Sequence, residues 1–397
     1  MTTESATPSR QASWLELFFD LVAVAAIAQL ALLLREHADW FHIGIFVIVY
    51  FAVWSTWTSF TFYGNVWGDK AHVRFMILGM AAMGVMAAAI PHVTDQRTDA
   101  FIVTYVLARM VTGQIWNRKG AVVTAWPAAQ VGFGVAPWVW SIWTPAPWTY
   151  LLWAAGMALD IGFSIWRGRR PQGMMTQISL AYAKRAERRR RGGVEVPQHP
   201  YEAAIDAKHL GERIGLFMII VLGEAIVQVV DVTAEEHWHA YLWVAAGAGF
   251  GIAVCLWLLT FRYGVLAVPH VSERHLPTWL ALPSHFVMTA VVTVAAAGTG
   301  VLLTEPDAAP GAGGRWLLCG GIALFFGTAL VGGAVLHTRL NQLLVGPLVS
   351  TLLPLALGLF GGRLPAWALL VGALISALWT VIWPSLRRVP APTEAVA

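Results

Sequence analysis

The sequence predicts an all-α polytopic membrane protein, with about twelve transmembrane helices in two six-helix halves. Three observations carry this expectation. Of 397 residues, 57% are hydrophobic and 12% are charged, and the mean hydropathy is +0.62. An ordinary soluble domain carries roughly twice that charge. Apolar stretches long enough to cross a hydrocarbon layer, about 20 residues each, recur along the whole chain. Trp is present in 21 copies, many near the ends of those stretches: Trp14, Trp40, Trp116, Trp148, Trp166, Trp238, Trp316 and Trp383. Aromatic belts at the two membrane interfaces account for such a surplus.

In chain order, spans are expected at about 13–34, 41–63, 73–91, 99–117, 121–143, 148–166, 213–232, 239–262, 281–303, 315–336, 343–360 and 365–384. The fifth is interrupted by Pro127 and Pro137, and the eleventh by Pro347 and Pro354. Proline inside a spanning helix implies a kink or break whose loose backbone groups neighbours must satisfy. Cys255 and Cys319 lie within apolar runs, so neither a disulfide nor a cysteine metal site is expected. The stretch from Met1 to Gln11 lacks the pattern of a cleaved signal peptide, and the first span is expected to direct insertion itself.

Lys and Arg set the orientation. With the N-terminus inside, cytoplasmic loops collect Lys70, Arg74, Arg118, Lys119, Arg262, Arg274, Arg339, Arg387 and Arg388, together with the linker from Arg167 to Arg191. The other side holds Arg35, Arg97, Arg315 and Arg363. The asymmetry places both termini in the cytoplasm. The chain thus divides into a six-helix half at 1–166, a basic cytoplasmic linker at 167–208, and a second six-helix half with a short tail at 209–397. The run from Lys184 to Gly193 in the linker suits either anionic lipid headgroups or a solvated tether. With no aromatic side chains interleaved, nucleic acid is not an expected partner.

The halves share short likenesses that point to a parallel internal repeat. Glu16 opens the first span and Glu212 the seventh. The second span closes with Thr61-Phe62-Tyr63-Gly64, the eighth with Thr260-Phe261-Arg262-Tyr263-Gly264. Asp69 and His72 follow the one, Glu273 and His275 the other.

The block Leu15-Glu16-Leu17-Phe18-Phe19-Asp20-Leu21-Val22, with Gln29, resembles the bacterial low temperature requirement protein A family. So does His209-Leu210-Gly211-Glu212-Arg213-Ile214-Gly215-Leu216, leading to Val221-Leu222-Gly223-Glu224. Asp69, Arg74 and Arg109 fit the weaker pattern between them, and Ala23 departs from the family's usual Phe. The resemblance implies a multipass protein of the bacterial cell (inner) membrane, linked by name to growth in the cold. It implies no reaction or substrate.

Charges within spans are costly and are functional candidates for that reason. Glu16 and Asp20, four residues apart, share one helix face. Ser13 to Glu16 matches a capping box, which gives Glu16 a structural role. Asp20 lies beyond the cap's reach. Arg109, in mid-span, needs a buried partner, with Asp20 or Asp160 available. Glu224 is expected near the bilayer centre, where Gly223 beside it would admit another helix. His285 opens the ninth span and suits either a helix contact or proton transfer. The expected proton or substrate pathway is therefore Asp20, Arg109, Glu224, Glu16, Asp160 and His285. His209, Glu212, Arg213, Asp69 and Arg74 are expected at its cytoplasmic mouth.

These features favour a secondary transporter or proton-coupled permease for an unknown small solute, with the lipid bilayer as its surroundings. The alternatives are a non-catalytic factor that organises the membrane or adapts it to stress, and an enzyme acting on lipid. No catalytic signature of a metalloprotease, serine hydrolase or phosphate-binding loop is present, and no cofactor is expected.

Overall fold

The computed structural model describes residues 11–119, 121–124, 126–130, 132–169, 179–180, 201–263, 278–336, 338 and 340–386. Within these residues the protein is helical apart from one short strand pair. In the first part of the chain, α1 (Trp14–Glu36), α2 (Trp40–Trp67), α3 (Val73–Ala89) and α4 (Thr98–Lys119) are followed by a broken stretch and then α6 (Trp148–Gly168). The broken stretch contains β1 (Ala121–Val122), a 3-10 turn (Pro127–Ala129) and the short α5 (Val135–Ser141). Further along, β2 (Tyr201–Glu202) pairs in parallel with β1 and leads into α7 (Ala207–Glu235) and α8 (Ala240–Tyr263). The chain continues through α9 (Thr278–Thr304), α10 (Ala312–Val335), α11 (Leu340–Val345), α12 (Pro347–Phe360) and α13 (Ala366–Leu386).

Among the described residues, 10 helices are long and apolar enough to cross a membrane. This is an integral membrane protein. The helix α4 is not one of the ten, although it is 22 residues long. Arg109, Thr104, Thr112 and Gln114 lower its hydropathy. The expected fifth span is not one helix, because Pro127 starts a 3-10 turn and only seven residues of α5 follow. The expected eleventh is split at Gly346 and Pro347 into α11 and α12, and Pro347 takes the first helical turn, where a missing N–H costs little.

The described chain groups into two compact units. The first comprises residues up to Ala26 and from Ile48 to Phe217, the second Ile27–Val47 and Met218 onward. Within the first, α3 packs on α4 and α5 on α6. Within the second, α9 packs on α10, α10 on α12, and α8 on α13. The α9–α10 contact is backbone to backbone at Gly298, where a Cβ would sit 2.3 Å from the Leu318 nitrogen. Small residues allow this close approach where lipid gives helices no hydrophobic reason to associate.

The tryptophans divide. Trp14, Trp40, Trp148, Trp166 and Trp238 are exposed, as interface belts require, but Trp116 and Trp383 are buried. Trp116 packs against Trp67 with centroids 4.3 Å apart and the rings tilted by 52°. An indole satisfies either setting, so the count alone overstated the belt. Glu273, His275, Arg274 and most of the basic linker, with its expected lipid contact, lie outside the described residues.

Candidate functional site

The first unit holds a compact buried cluster built by two helix starts. Trp14 begins α1, and Ser13 caps it: the Glu16 amide donates to Ser13 Oγ (3.3 Å), while the Ser13 amide and hydroxyl both donate to Glu16 Oε2 at 2.8 Å. Asp206 caps α7 by accepting from the Lys208 and His209 amides at 3.1 and 3.0 Å. Each helix then presents an i, i+4 pair on one face: Glu16 and Asp20 on α1, His209 and Arg213 on α7.

The two pairs interlock. Arg213 Nη2 donates to Asp20 Oδ1 at 2.6 Å, and Nη1 lies 3.8 Å from Glu16 Oε1. His209 Nε2 lies 3.5 Å from Glu16 Oε2. Earlier residues of α1 meet earlier residues of α7, so these helices run in the same direction. The Arg213 side chain is 0% exposed, and its three partners are buried too. It was expected at an open mouth; instead α1 covers it and supplies two carboxylates against the cost of desolvating a guanidinium. Glu212, one position away, is exposed.

Further groups order the cluster. Trp57 Nε1 donates to Asp20 Oδ1 at 2.7 Å. Asn65 Oδ1 accepts from the Asp206 amide at 3.0 Å, which fixes the side-chain amide, so Nδ2 donates to His209 Nδ1 at 3.1 Å. That bond assigns the imidazole proton to Nε2, facing Glu16. Gly64 makes room: a Cβ there would sit 2.5 Å from Glu16 Oε1. Asp20 Oδ2 is buried with no hydrogen-bond partner among the described residues. Native proteins rarely leave such an atom unsatisfied without a reason.

Arg109 and Asp160 meet elsewhere in the same unit, with Nη2 3.3 Å from Oδ2. Arg109 also donates to Ser59 Oγ and to the Ala128 carbonyl, Asp160 accepts from the Gly134 amide at 2.8 Å, and Ser164 Oγ accepts from the Ala128 amide at 3.1 Å. Ala128 and Gly134 belong to the broken stretch. The buried charges therefore satisfy backbone groups that a continuous helix would have satisfied itself. Of the two carboxylates expected to answer Arg109, Asp160 does so, while Asp20 pairs with Arg213 and Trp57 through Oδ1.

In the second unit, Gln228 Nε2 donates to buried Glu224 Oε1 at 2.7 Å, and Arg35 Nη1 donates to Gln228 Oε1 at 3.2 Å. The close helix approach expected at Gly223 is absent among the described residues: none of them lies within 4 Å of a Cβ placed there. The close approach is at Gly300 instead, where a Cβ would meet Gln228 Oε1 at 2.7 Å and Arg35 Cδ at 3.2 Å. His285 is buried in α9, and its carbonyl accepts from Thr289 Oγ1 at 2.8 Å. Arg74 is exposed over the Phe75 ring at 5.0 Å, and the Asp69 side chain lies outside the described residues.

The cluster in α1 and α7 is made by the two most distinctive blocks of the sequence. A family model described as bacterial low temperature requirement A protein matches residues 11–382, which include both. The chain belongs to this family. It is also 26% identical over 280 residues to an uncharacterized protein of Rhizobium meliloti (strain 1021), covering 65% of this chain and 60% of that one. The chain thus spans less than two thirds of the length of that relative. No solved structure matches.

In this member of the low temperature requirement A family, the sequence-predicted residues fall into three groups rather than one. Glu16, Asp20, His209 and Arg213 form the first, Arg109 and Asp160 the second, and Glu224 belongs to a third with Gln228 and Arg35. Sequence reasoning passed over Trp57, Asn65 and Gln228. Only Gln228 left a signal, lying four residues after Glu224 on the same helix face.

Proposed function

We propose that this protein is a proton-coupled secondary transporter of the bacterial inner membrane, carrying a small solute, in which Asp20 is the proton site and Arg213 the moving counter-charge. The observation that carries this is Asp20 Oδ2, buried and without a hydrogen-bond partner among the described residues, on the carboxylate that neutralises a fully buried arginine. A proton arriving there removes the negative charge from the pair. Arg213 is then a buried cation in need of another anion, and Glu16 Oε1 waits 3.8 Å from Nη1. Transfer of Arg213 from Asp20 to Glu16 pulls on α7, the helix that also carries His209. Two arrangements of one guanidinium between two carboxylates form the bistable element that coupling requires.

The same reading takes the chain to cross the membrane twelve times, α4 and the broken stretch with α5 adding to the ten apolar helices, with both termini cytoplasmic. The common direction of α1 and α7 supports a parallel repeat of two six-helix halves. Proteoliposomes loaded with a pH-sensitive dye, under an imposed potassium diffusion potential and a panel of small solutes, test the proposal. Wild-type protein should acidify or alkalinise the lumen with at least one solute, and Asp20→Asn or Glu224→Gln should abolish this while insertion stays normal. Undiminished flux in both variants would overturn the assignment.

A second reading, a non-transporting factor that organises the membrane, is favoured by Arg109. Its bonds to Ser59, Ala128 and Asp160 fix one packing arrangement rather than offering two. Under that reading the liposomes show neither solute nor proton movement.

A further inference from the structure

The first unit has a second feature that the charge cluster does not use. The helices α3 and α4 are joined by a 3-10 turn at Ile90–His92 followed by a turn over 93–97, and they pack together, so the start of α3 lies beside the second half of α4. Between them is a cavity of about 330 Å³ with His72, Arg74 and Gln114 at one end and Leu107, Met110 and Val111 along it. That volume is at the lower end for small-molecule sites.

We propose that this groove binds an anionic glycerophospholipid, with the phosphate at Arg74 and an acyl chain along α4. The spacing of Leu107, Met110, Val111 and Gln114 follows one helix stripe, which turns from apolar to polar toward the end where Arg74 stands. The guanidinium is already placed, since it stacks on Phe75 at 5.0 Å. None of the described residues lining the cavity is acidic, so its charge is of one sign. Leu107 and Met110 are more than half exposed, which suits contact with a hydrocarbon chain.

Charge complementarity selects the occupant. A free phosphate would use the basic end and leave the apolar wall bare, and an uncharged lipid would leave Arg74 unanswered. An anionic phospholipid uses both ends. The bias of Lys70, Arg74 and the other basic residues puts this end on the cytoplasmic side, where anionic lipid attracts basic groups.

Native mass spectrometry of the purified full-length protein tests the site, in micelles holding equal amounts of phosphatidylglycerol and phosphatidylcholine. Wild-type protein should carry phosphatidylglycerol in preference by about fivefold, the scale of one basic contact at a membrane surface. Arg74→Gln should remove the preference, and Met110→Trp, which fills the groove, should lower the phosphatidylglycerol adduct itself. Both positions are exposed, and unchanged thermal unfolding would show that the variants are folded. A linker variant, Arg188→Gln with Arg189→Gln and Arg190→Gln, should keep the preference. Adducts unchanged in Arg74→Gln and Met110→Trp overturn the proposal, as does a loss confined to the linker variant. Displacement of the lipid by excess inorganic phosphate also overturns it, in favour of a free-anion site.

Discussion

Arg213 and Asp20 meet at 2.6 Å in full burial, while Glu16 stands 3.8 Å from the other guanidinium nitrogen. The three groups are unequal in what their loss leaves behind. Arg213→Met strands two buried carboxylates and should cost about 3–5 kcal/mol, the usual cost of breaking a buried pair. Asp20→Asn leaves Arg213 with Glu16 in reach and should cost distinctly less. Thermal unfolding of the detergent-purified variants measures the difference. Equal losses would mean that Glu16 does not serve as a second anion.

A separate lock holds the broken stretch. Arg109 and Asp160 act on one another and on the backbone at Ala128 and Gly134. Arg109→Leu and Asp160→Leu should each destabilise by about 3–5 kcal/mol, because each leaves its partner charged and buried. The double variant should cost clearly less than the sum, the signature of a direct pair. Asp160→Asn keeps an oxygen for the Gly134 amide and should be milder than Asp160→Leu. Limited proteolysis should find the region 121–134 newly open in the leucine variants and closed in Asp160→Asn.

Three glycines separate packing from permissiveness. A Cβ at Gly134 would lie 2.1 Å from the Gly156 carbonyl oxygen, and one at Gly64 would lie 2.5 Å from Glu16 Oε1. Gly134→Ala forces two backbones apart and should lower the unfolding midpoint strongly. Gly64→Ala meets the end of a side chain, so it should displace Glu16 from its cluster at smaller cost to stability. Gly223→Ala meets nothing within 4 Å. It should be neutral or stabilise by up to about 1 kcal/mol through helix propensity. Melting curves of the three variants in one detergent decide the order.

These contrasts show what the chain discloses and what it hides. Apolar runs mark long helices at ten of the twelve expected spans, because hydrocarbon sets their length, and Pro127 and Pro137 announce a break. The run cannot report which side chains mend that break, since Arg109, Asp160 and Ser164 come from helices distant in sequence. Arg213 looks like a mouth residue because it lies near a span's edge; only the cover supplied by α1 buries it. Trp57 and Trp116 carry the same aromatic signal as the exposed Trp14. Gly223 and Gly300 are both glycines in apolar helices, and only the neighbouring helix tells which one is crowded. The capping box at Ser13 and Glu16 was legible because it is local. Its second use, against His209 and Arg213, is not local.

The turn between α1 and α2 offers a pH-dependent test outside the apolar helices. Asp39 caps α2: its Oδ1 accepts from the His42 amide at 3.0 Å and its Oδ2 lies 2.7 Å from His42 Nδ1. The backbone bond from His42 chiefly, with further help from the His42 side chain, holds the Asp39 carboxyl below its ordinary value of 3.8. A depressed carboxyl stabilises the folded state above its unfolded pKa, and the contribution is lost as pH falls through the lower folded value. The stability due to the Asp39 charge should therefore decline as pH falls below about 4. Asp39→Asn keeps a capping oxygen but should flatten this acid-side decline. Asp39→Ala should lower stability at every pH by about 0.5–2 kcal/mol, the usual range for losing a cap. Unfolding midpoints of the three proteins between neutral pH and pH 3 provide the check, and an acid-side slope in Asp39→Asn equal to that of the wild type would show that the charge on Asp39 is immaterial to the turn.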